Sequence, residues 1–243
     1  MKSRAKNYKK GELLYEGKAK RLYAIPGYPD LLWQEFKDDA TAFDAVKRGT
    51  IVNKGKINNQ LTAYIFTFLG KAGIKNHFVE LLSENEMVVK KVKIIKIEVV
   101  GRNIAAGSLL KKTSFKEGYV LKTPIIEFYY KEDALHDPLI NDSHAIAMKL
   151  AAQKELDYLR LMAVKINSML VPFFRKRGLK LVDFKLEFGR DKRGNILLAD
   201  EISPDTCRLW DTKTNEKLDK DRFRFDLGKV EESYAEVINR VIK

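Results

Sequence analysis

Along residues 181–189, LVDFKLEFG, apolar and charged side chains alternate. In a strand this puts Val182, Phe184, Leu186 and Phe188 on one face and Asp183, Lys185 and Glu187 on the other. The apolar set is the half that can be buried, so the charged set is presented on a rigid, solvent-facing platform. The chain continues GRDKRGNILLADEISPD, where Gly189, Gly194 and Asn195 separate two strand-like runs, the pattern of a β-hairpin. A turn centred on Arg193 and Gly194 sets Glu187 opposite Asp200. Facing carboxylates destabilise a cross-strand pair unless a cation or a shared proton lies between them. Either a divalent metal resolves the repulsion, or Lys185 and arginines such as Arg208 satisfy both carboxylates in a solvated network.

Elsewhere the pattern alternates between short strands and helices. LLYEG, KRLYAI and LLWQEF read as strands broken by Gly17 and by the Pro26 to Pro29 turn. Leu61, Ile65 and Phe68 make one stripe of a helix near 57–70, with Gly70 as its stop. MVVKKVKIIKIEVV continues the strand content without a proline or glycine between Met87 and Val100. A long helix over about 153–176 carries Leu156, Leu159, Ala163, Ile166, Leu170 and Phe173 at helical spacing. Pro172 should kink or shorten it, and Gly178 should end it. A closing amphipathic helix buries Val230, Tyr234, Val237, Ile238 and Val241. The change of pattern near residue 88 divides the chain into an N-terminal α+β lobe, 1–88, and a C-terminal α+β lobe, 89–243.

Composition narrows the class. The 243 residues, 45% of them apolar, can bury a sizeable core, and the apolar content argues against global disorder. No apolar run approaches the roughly 18 residues of a membrane span. The basic start MKSRAKNYKK is followed by GELLYEG, with no signal-peptide hydrophobic region. One cysteine, Cys207, excludes an intramolecular disulfide and makes a cytosolic setting the economical expectation. The formal charge of +13 suits anionic partners such as nucleotides, phosphorylated metabolites or nucleic acid, and equally a solubility or thermal adaptation.

Three further stretches carry candidate chemistry. In YEGKAKRLY, Gly17 lies beside Lys18 and Lys20 at a tight connection, where lysines could hold polyphosphate; it is not a Walker A loop. VVGRNIAAGSL combines Arg102 and Ser108, donors to a phosphate ester, with small residues that allow close backbone approach or tight packing. His136 and His144 lie eight residues apart with no further ligand at zinc spacing, and His77 reads as a surface or packing residue. Cys207 beside Arg208 could have a lowered pKa, but with no local Cys-His arrangement it reads as a structural thiol.

Taken in order, LLYEGKAKRLY, DDATAFDA, VVGRNIAAGSL, EFYYKEDALHDPLIN, LVDFKLEFG, LADEISPDTCRLWD and DKDRFR resemble the phosphoribosylaminoimidazole-succinocarboxamide synthase, or SAICAR synthetase, family over nearly the whole chain. The resemblance implies a two-lobed α+β fold with a nucleotide cleft similar to ATP-grasp and kinase-like enzymes. It implies an ATP-dependent ligase that joins L-aspartate to the carboxylate of carboxyaminoimidazole ribotide, through an acyl phosphate, with Mg2+ as cofactor. Glu187 and Asp200 would then be magnesium ligands, with Asp183 and Lys185 as catalytic residues of the same site. Lys18, Lys20 and Lys131 match nucleotide-contacting lysines. Arg102, Ser108, Arg208 and Arg224 match positions that hold the ribotide, mainly its phosphate, and Asp205 lies in the same substrate-facing loop. The basic residues before Gly11 have no family counterpart. ATP, the ribotide and aspartate are the expected partners and a homodimer the expected assembly, without nucleic acid or membrane. A small-molecule kinase would use the same lysines and carboxylates, with a hydroxyl acceptor and no need for aspartate. A basic nucleic-acid-binding protein would leave the acidic hairpin face unexplained.

Overall fold

The computed structural model describes residues 8–42 and 46–242; the start of the basic extension and residues 43–45 of DDATAFDA lie outside them. Strands β1 (Leu13–Glu16), β2 (Lys20–Ala24), β3 (Leu31–Phe36), β4 (Asp39–Ala42) and β5 (Lys47–Thr50) precede helix α1 (Lys54–Lys71). Strands β6 (Phe78–Leu81) and β7 (Glu86–Lys90) follow it. One sheet takes the order β1-β2-β3-β7-β6, while β4 and β5 pair only with each other.

MVVKKVKIIKIEVV is not one strand. It breaks at Lys91 and Val92, and β8 (Lys93–Ile104) opens a second sheet. The Lys91 N–H still donates to the Asp30 carbonyl, beside the last β3–β7 pair of Leu31 and Lys90, and the chain leaves the first sheet after it. The second sheet adds β9 (Val120–Tyr130), β10 (Leu139–Ile140), β11 (Leu179–Arg190) and β12 (Ile196–Ala199) in the order β10-β9-β8-β11-β12, and β13 (Cys207–Asp211) also pairs with β11. Helices α2 (Asp142–Ala147), α3 (Gln153–Arg175), α4 (Asp221–Arg224) and α5 (Val230–Ile242) complete the chain.

All six apolar residues expected on the long helix are buried in α3, as its 3.6-residue periodicity requires. The helix runs on through Pro172 to Arg175, so the proline does not shorten it, and Gly178, at φ 71°, turns the chain into β11. Leu61, Ile65 and Leu69 of α1 share one core with α3, β8, β11 and the buried face of α5, while the first sheet packs on smaller clusters of its own, one of Phe36, Ala63, Met87 and Val89 and one of Tyr8, Ile25 and Val88.

The alternation in β11 is interrupted by a bulge between Leu181 and Asp183. Leu179 and Leu181 before it, and Phe184, Leu186 and Phe188 after it, enter the main core. Val182, expected beside Phe184, packs instead with Ile104, Ala106 and Trp210, because the extra residue reverses the facing of the strand. Gly101 on β8 stands opposite Phe184, and a Cβ there would lie 2.3 Å from its ring. Only glycine lets the two strands close over that aromatic.

Candidate active site

The charged face of β11 is the wall of a cleft, not an open platform: Asp183 and Glu187 are each only 4% exposed. The hairpin register differs by one residue from the expected one. Glu187 stands opposite Ala199, and Asp200 is the first residue past β12, in left-handed backbone at φ 60°. The carboxylate that faces Glu187 belongs to Glu98, on the other neighbouring strand, β8. Between them the Lys185 ammonium donates to Glu98 Oε1 at 2.7 Å and to Glu187 Oε1 at 2.9 Å. Lys131 adds a second contact to Glu187 Oε1 at 2.8 Å. Burial opposes charge on Lys185, but the two glutamates and Asp200 outweigh it and hold its pKa well above the ordinary lysine value.

A cavity of about 420 Å³ lies along this wall, between the two sheets. Leu22, Leu32, Val89, Val92 and Ile94 supply an apolar side, and Lys20, Lys131, Glu187 and Asp200 a charged one. Lys20 Nζ is 2.5 Å from Asp200 Oδ1 and 2.8 Å from Glu201 Oε1. Burial favours neutral Asp200, yet Lys20 and Lys185 overcome it and keep its pKa below the usual carboxylate range. His77 and Gln34 also line this cavity, and a side-chain nitrogen of each, Nε2, is buried without a partner in the protein. Burial, reinforced by the Lys20 charge, pushes the His77 pKa down to about 3, so the ring is a neutral packing residue against Phe66.

A second cavity, of about 200 Å³, is lined by Arg102, Ser108, Tyr129, Asp183, Lys185, Asp205, Arg208 and Arg224, among others. Strand register builds its cationic wall, since Asp183 stands opposite Arg102 of β8 on one side and Arg208 of β13 on the other. Its Oδ2 accepts from Arg102 Nη1 at 3.1 Å and from Arg208 Nη1 at 2.8 Å. Arg102 also donates to Glu127 at 2.6 Å and to Ser108 Oγ at 2.9 Å. Gly107, at φ 57°, leaves room for the Arg208 guanidinium; a Cβ there would lie 2.5 Å from Nη2. Asp205 accepts from Tyr234 at 2.6 Å and from the fully buried Lys54 at 3.1 Å, with Lys220 at 3.4 Å.

Lys185 lines the small cavity and Glu187 the large one, so their hydrogen bond spans the partition between the two. Of the residues expected at the site, only Lys18 lines neither cavity; it is paired with Asp133 at 2.8 Å, on an exposed turn near Lys131. The residues that sequence reasoning missed are the partners: Glu98, Glu127, Tyr129, Glu201, Lys54 and Asp221. Asp221 stood inside the DKDRFR stretch and Glu98 inside an alternating run, but which cation each meets depends on strand pairing. Cys207 is buried, and burial pushes its thiol pKa up, not down as its arginine neighbour suggested.

An α+β fold that gathers lysines and carboxylates around one cavity, and arginines around the next, defines an enzyme cleft for phosphate-bearing ligands. The chain matches SAICAR synthetase over residues 13–241 and belongs to that family. It is 60% identical over 234 residues to a phosphoribosylaminoimidazole-succinocarboxamide synthase from Chloroherpeton thalassium, covering 96% of this chain and 99% of that protein. The crystal structure of the synthase of that name from Ehrlichia chaffeensis superposes with a TM-score of 0.92 at 47% identity, over 95% of this chain and 98% of that one. A SAICAR synthetase in complex with ADP superposes at 0.91 with 49% identity, over 95% and 97%. Among the described residues, no helix is long and apolar enough to cross a membrane.

Proposed function

We infer that this protein is an ATP-dependent ligase of purine biosynthesis that joins L-aspartate to the carboxylate of carboxyaminoimidazole ribotide, giving SAICAR, ADP and phosphate. The observation that carries the reading is the Lys185–Glu187 contact across the partition between the two cavities, in a chain of this family. A carboxylate is a poor electrophile, so the reaction needs the ribotide carboxylate phosphorylated before the amine of aspartate displaces phosphate. Such a transfer requires ATP and ribotide to meet at one wall, which is where Lys185 stands.

The apolar side of the larger cavity suits a nucleobase, and Lys20 and Lys131 suit the phosphates. The lobe 1–88 would supply Lys20, Leu22, Leu32, Gln34 and His77 to ATP, and 89–243 the metal and ribotide groups; Lys18 would act at the edge. Arg102, Arg208, Arg224 and Ser108 would hold the ribotide phosphate, Asp183 would fix the first two arginines, and Asp205 would face the same substrate. Lys185 would stabilise charge on the transferred phosphoryl group.

Magnesium fits the donor set. Glu187 and Asp200 both line the larger cavity, and the ion ordinarily takes one or two carboxylates together with substrate phosphates. When bound by these residues it would neutralise the triphosphate. A cytosolic setting, supported by the lone buried cysteine, and a homodimer complete the proposal. The test is ADP release from ATP and ribotide with and without L-aspartate: release that needs all three substrates is expected. Release onto a hydroxyl acceptor without aspartate would contradict the reading.

A further inference from the structure

We infer that Asp221 is a positioning residue, which sets the spacing of Arg208 and Arg224 so that their guanidinium groups receive a phosphate monoester in the smaller cavity. The inference rests on the proposed ribotide reading of that cavity. Asp221 does not line it and is 2% exposed. Its two oxygens divide between the arginines: Oδ2 accepts from Arg208 Nε at 2.8 Å, and Oδ1 accepts from Arg224 Nη1 at 2.6 Å. The arginines lie on different elements, β13 and α4, so this carboxylate is a direct link between them.

Arg208 is fixed on a second side. Its Nη1 donates to Asp183 at 2.8 Å, so with Nε on Asp221 the guanidinium plane cannot turn without breaking one of the two contacts. Asp221 is itself pinned. Its N–H donates to Asp219 Oδ1 at 2.8 Å, and Asp219 Oδ2 accepts the Leu209 N–H at 2.8 Å, which ties the start of α4 to β13.

Charge and geometry predict opposite effects here. A buried carboxylate beside two arginines lowers the positive potential that an anion meets, so if charge alone mattered, neutralising Asp221 would tighten phosphate binding. If Asp221 instead holds two planar forks in register, neutralising it loosens them and weakens binding.

The experiment is calorimetric titration of wild type and Asp221→Asn with the ribotide, with the same compound lacking its phosphate, and with ATP. For the variant, ribotide affinity is expected to fall about tenfold, the loss of roughly one charge-assisted contact, with riboside and ATP affinities within about twofold of wild type. Ribotide affinity that is unchanged or raised overturns the inference. A wild type that binds riboside as tightly as ribotide overturns the phosphate reading, and the inference with it. A wild type that discriminates, with a variant that discriminates equally well, overturns the inference alone. Should Asp221→Asn lose its unfolding transition, Asp221→Glu keeps the charge, displaces the oxygens and is read by the same criteria.

Discussion

Glu98 and Glu187 face each other across β8 and β11, and Lys185 Nζ joins them at 2.7 and 2.9 Å. Lys185 holds these like charges together, and in the proposed reaction it would also reach the phosphoryl group. Lys185→Met is expected to cut turnover by about 10²–10³-fold, the usual cost of removing a group that stabilises transition-state charge. It should also lower the thermal midpoint, since buried Glu187 and partly buried Glu98 then keep only Lys131 of the two lysines that hold them. Adding Glu98→Gln should restore stability and leave activity low. Recovery of both would reduce Lys185 to a structural cation.

Glu187→Gln and Asp200→Asn each remove a proposed metal-ligand charge. Both variants are expected to keep the fold and to need at least about tenfold more magnesium for half-maximal rate, in line with the usual cost of perturbing a metal site. The measurement is initial rate against magnesium concentration, with far-ultraviolet circular dichroism as the check on folding. An unchanged magnesium dependence in both would remove the assignment.

Gly107 and Arg208 fit together only because Gly107 has no side chain. In Gly107→Ala the methyl group meets the guanidinium, and backbone at φ 57° also disfavours alanine. Ribotide binding should weaken by about tenfold or more, as for a misplaced phosphate fork, while ATP binding holds. Arg208→Lys should give the same division, because a point charge replaces the planar fork. Calorimetry with each ligand checks both variants; equal weakening toward ribotide and ATP would point to a general structural role.

The alternating β11 pattern made Asp183, Lys185 and Glu187 legible as one charged face, and the motif order made the family legible. What could not be read was partner choice. The register is set by β11 pairing with three strands, and Asp200 leaves the ladder in left-handed backbone, so the expected Glu187–Asp200 pairing became Glu187–Glu98. Local alternation carries no information about which neighbour arrives from more than 80 residues away, as Glu98 does at Lys185. The bulge that diverts Val182 falls where two apolar residues adjoin, Leu181 and Val182, a break in the alternation that does not say by itself which of the two shares the core face of Phe184.

His77 provides a pH test of burial. Its pKa of about 3 in the fold lies below the roughly 6.5 of an exposed histidine. Between those values the unfolded chain binds a proton that the folded protein refuses, so stability falls as pH drops through this window, by up to about 1.4 kcal/mol per pH unit. His77→Gln should have a flatter acid limb when urea midpoints are compared from about pH 7 to about pH 4. Parallel slopes would mean that the ring takes up its proton in the folded state.

The central claim is that the ribotide carboxylate receives the phosphoryl group of ATP at the Lys185–Glu187 wall, before aspartate attacks. The most direct measurement uses ribotide labelled with ¹⁸O in that carboxylate, with mass analysis of the phosphate released in the complete reaction. The account predicts one labelled oxygen in each phosphate, because the carboxylate oxygen that attacks the phosphoryl group leaves with it. Unlabelled phosphate, accompanied by aspartate-dependent product, would contradict it.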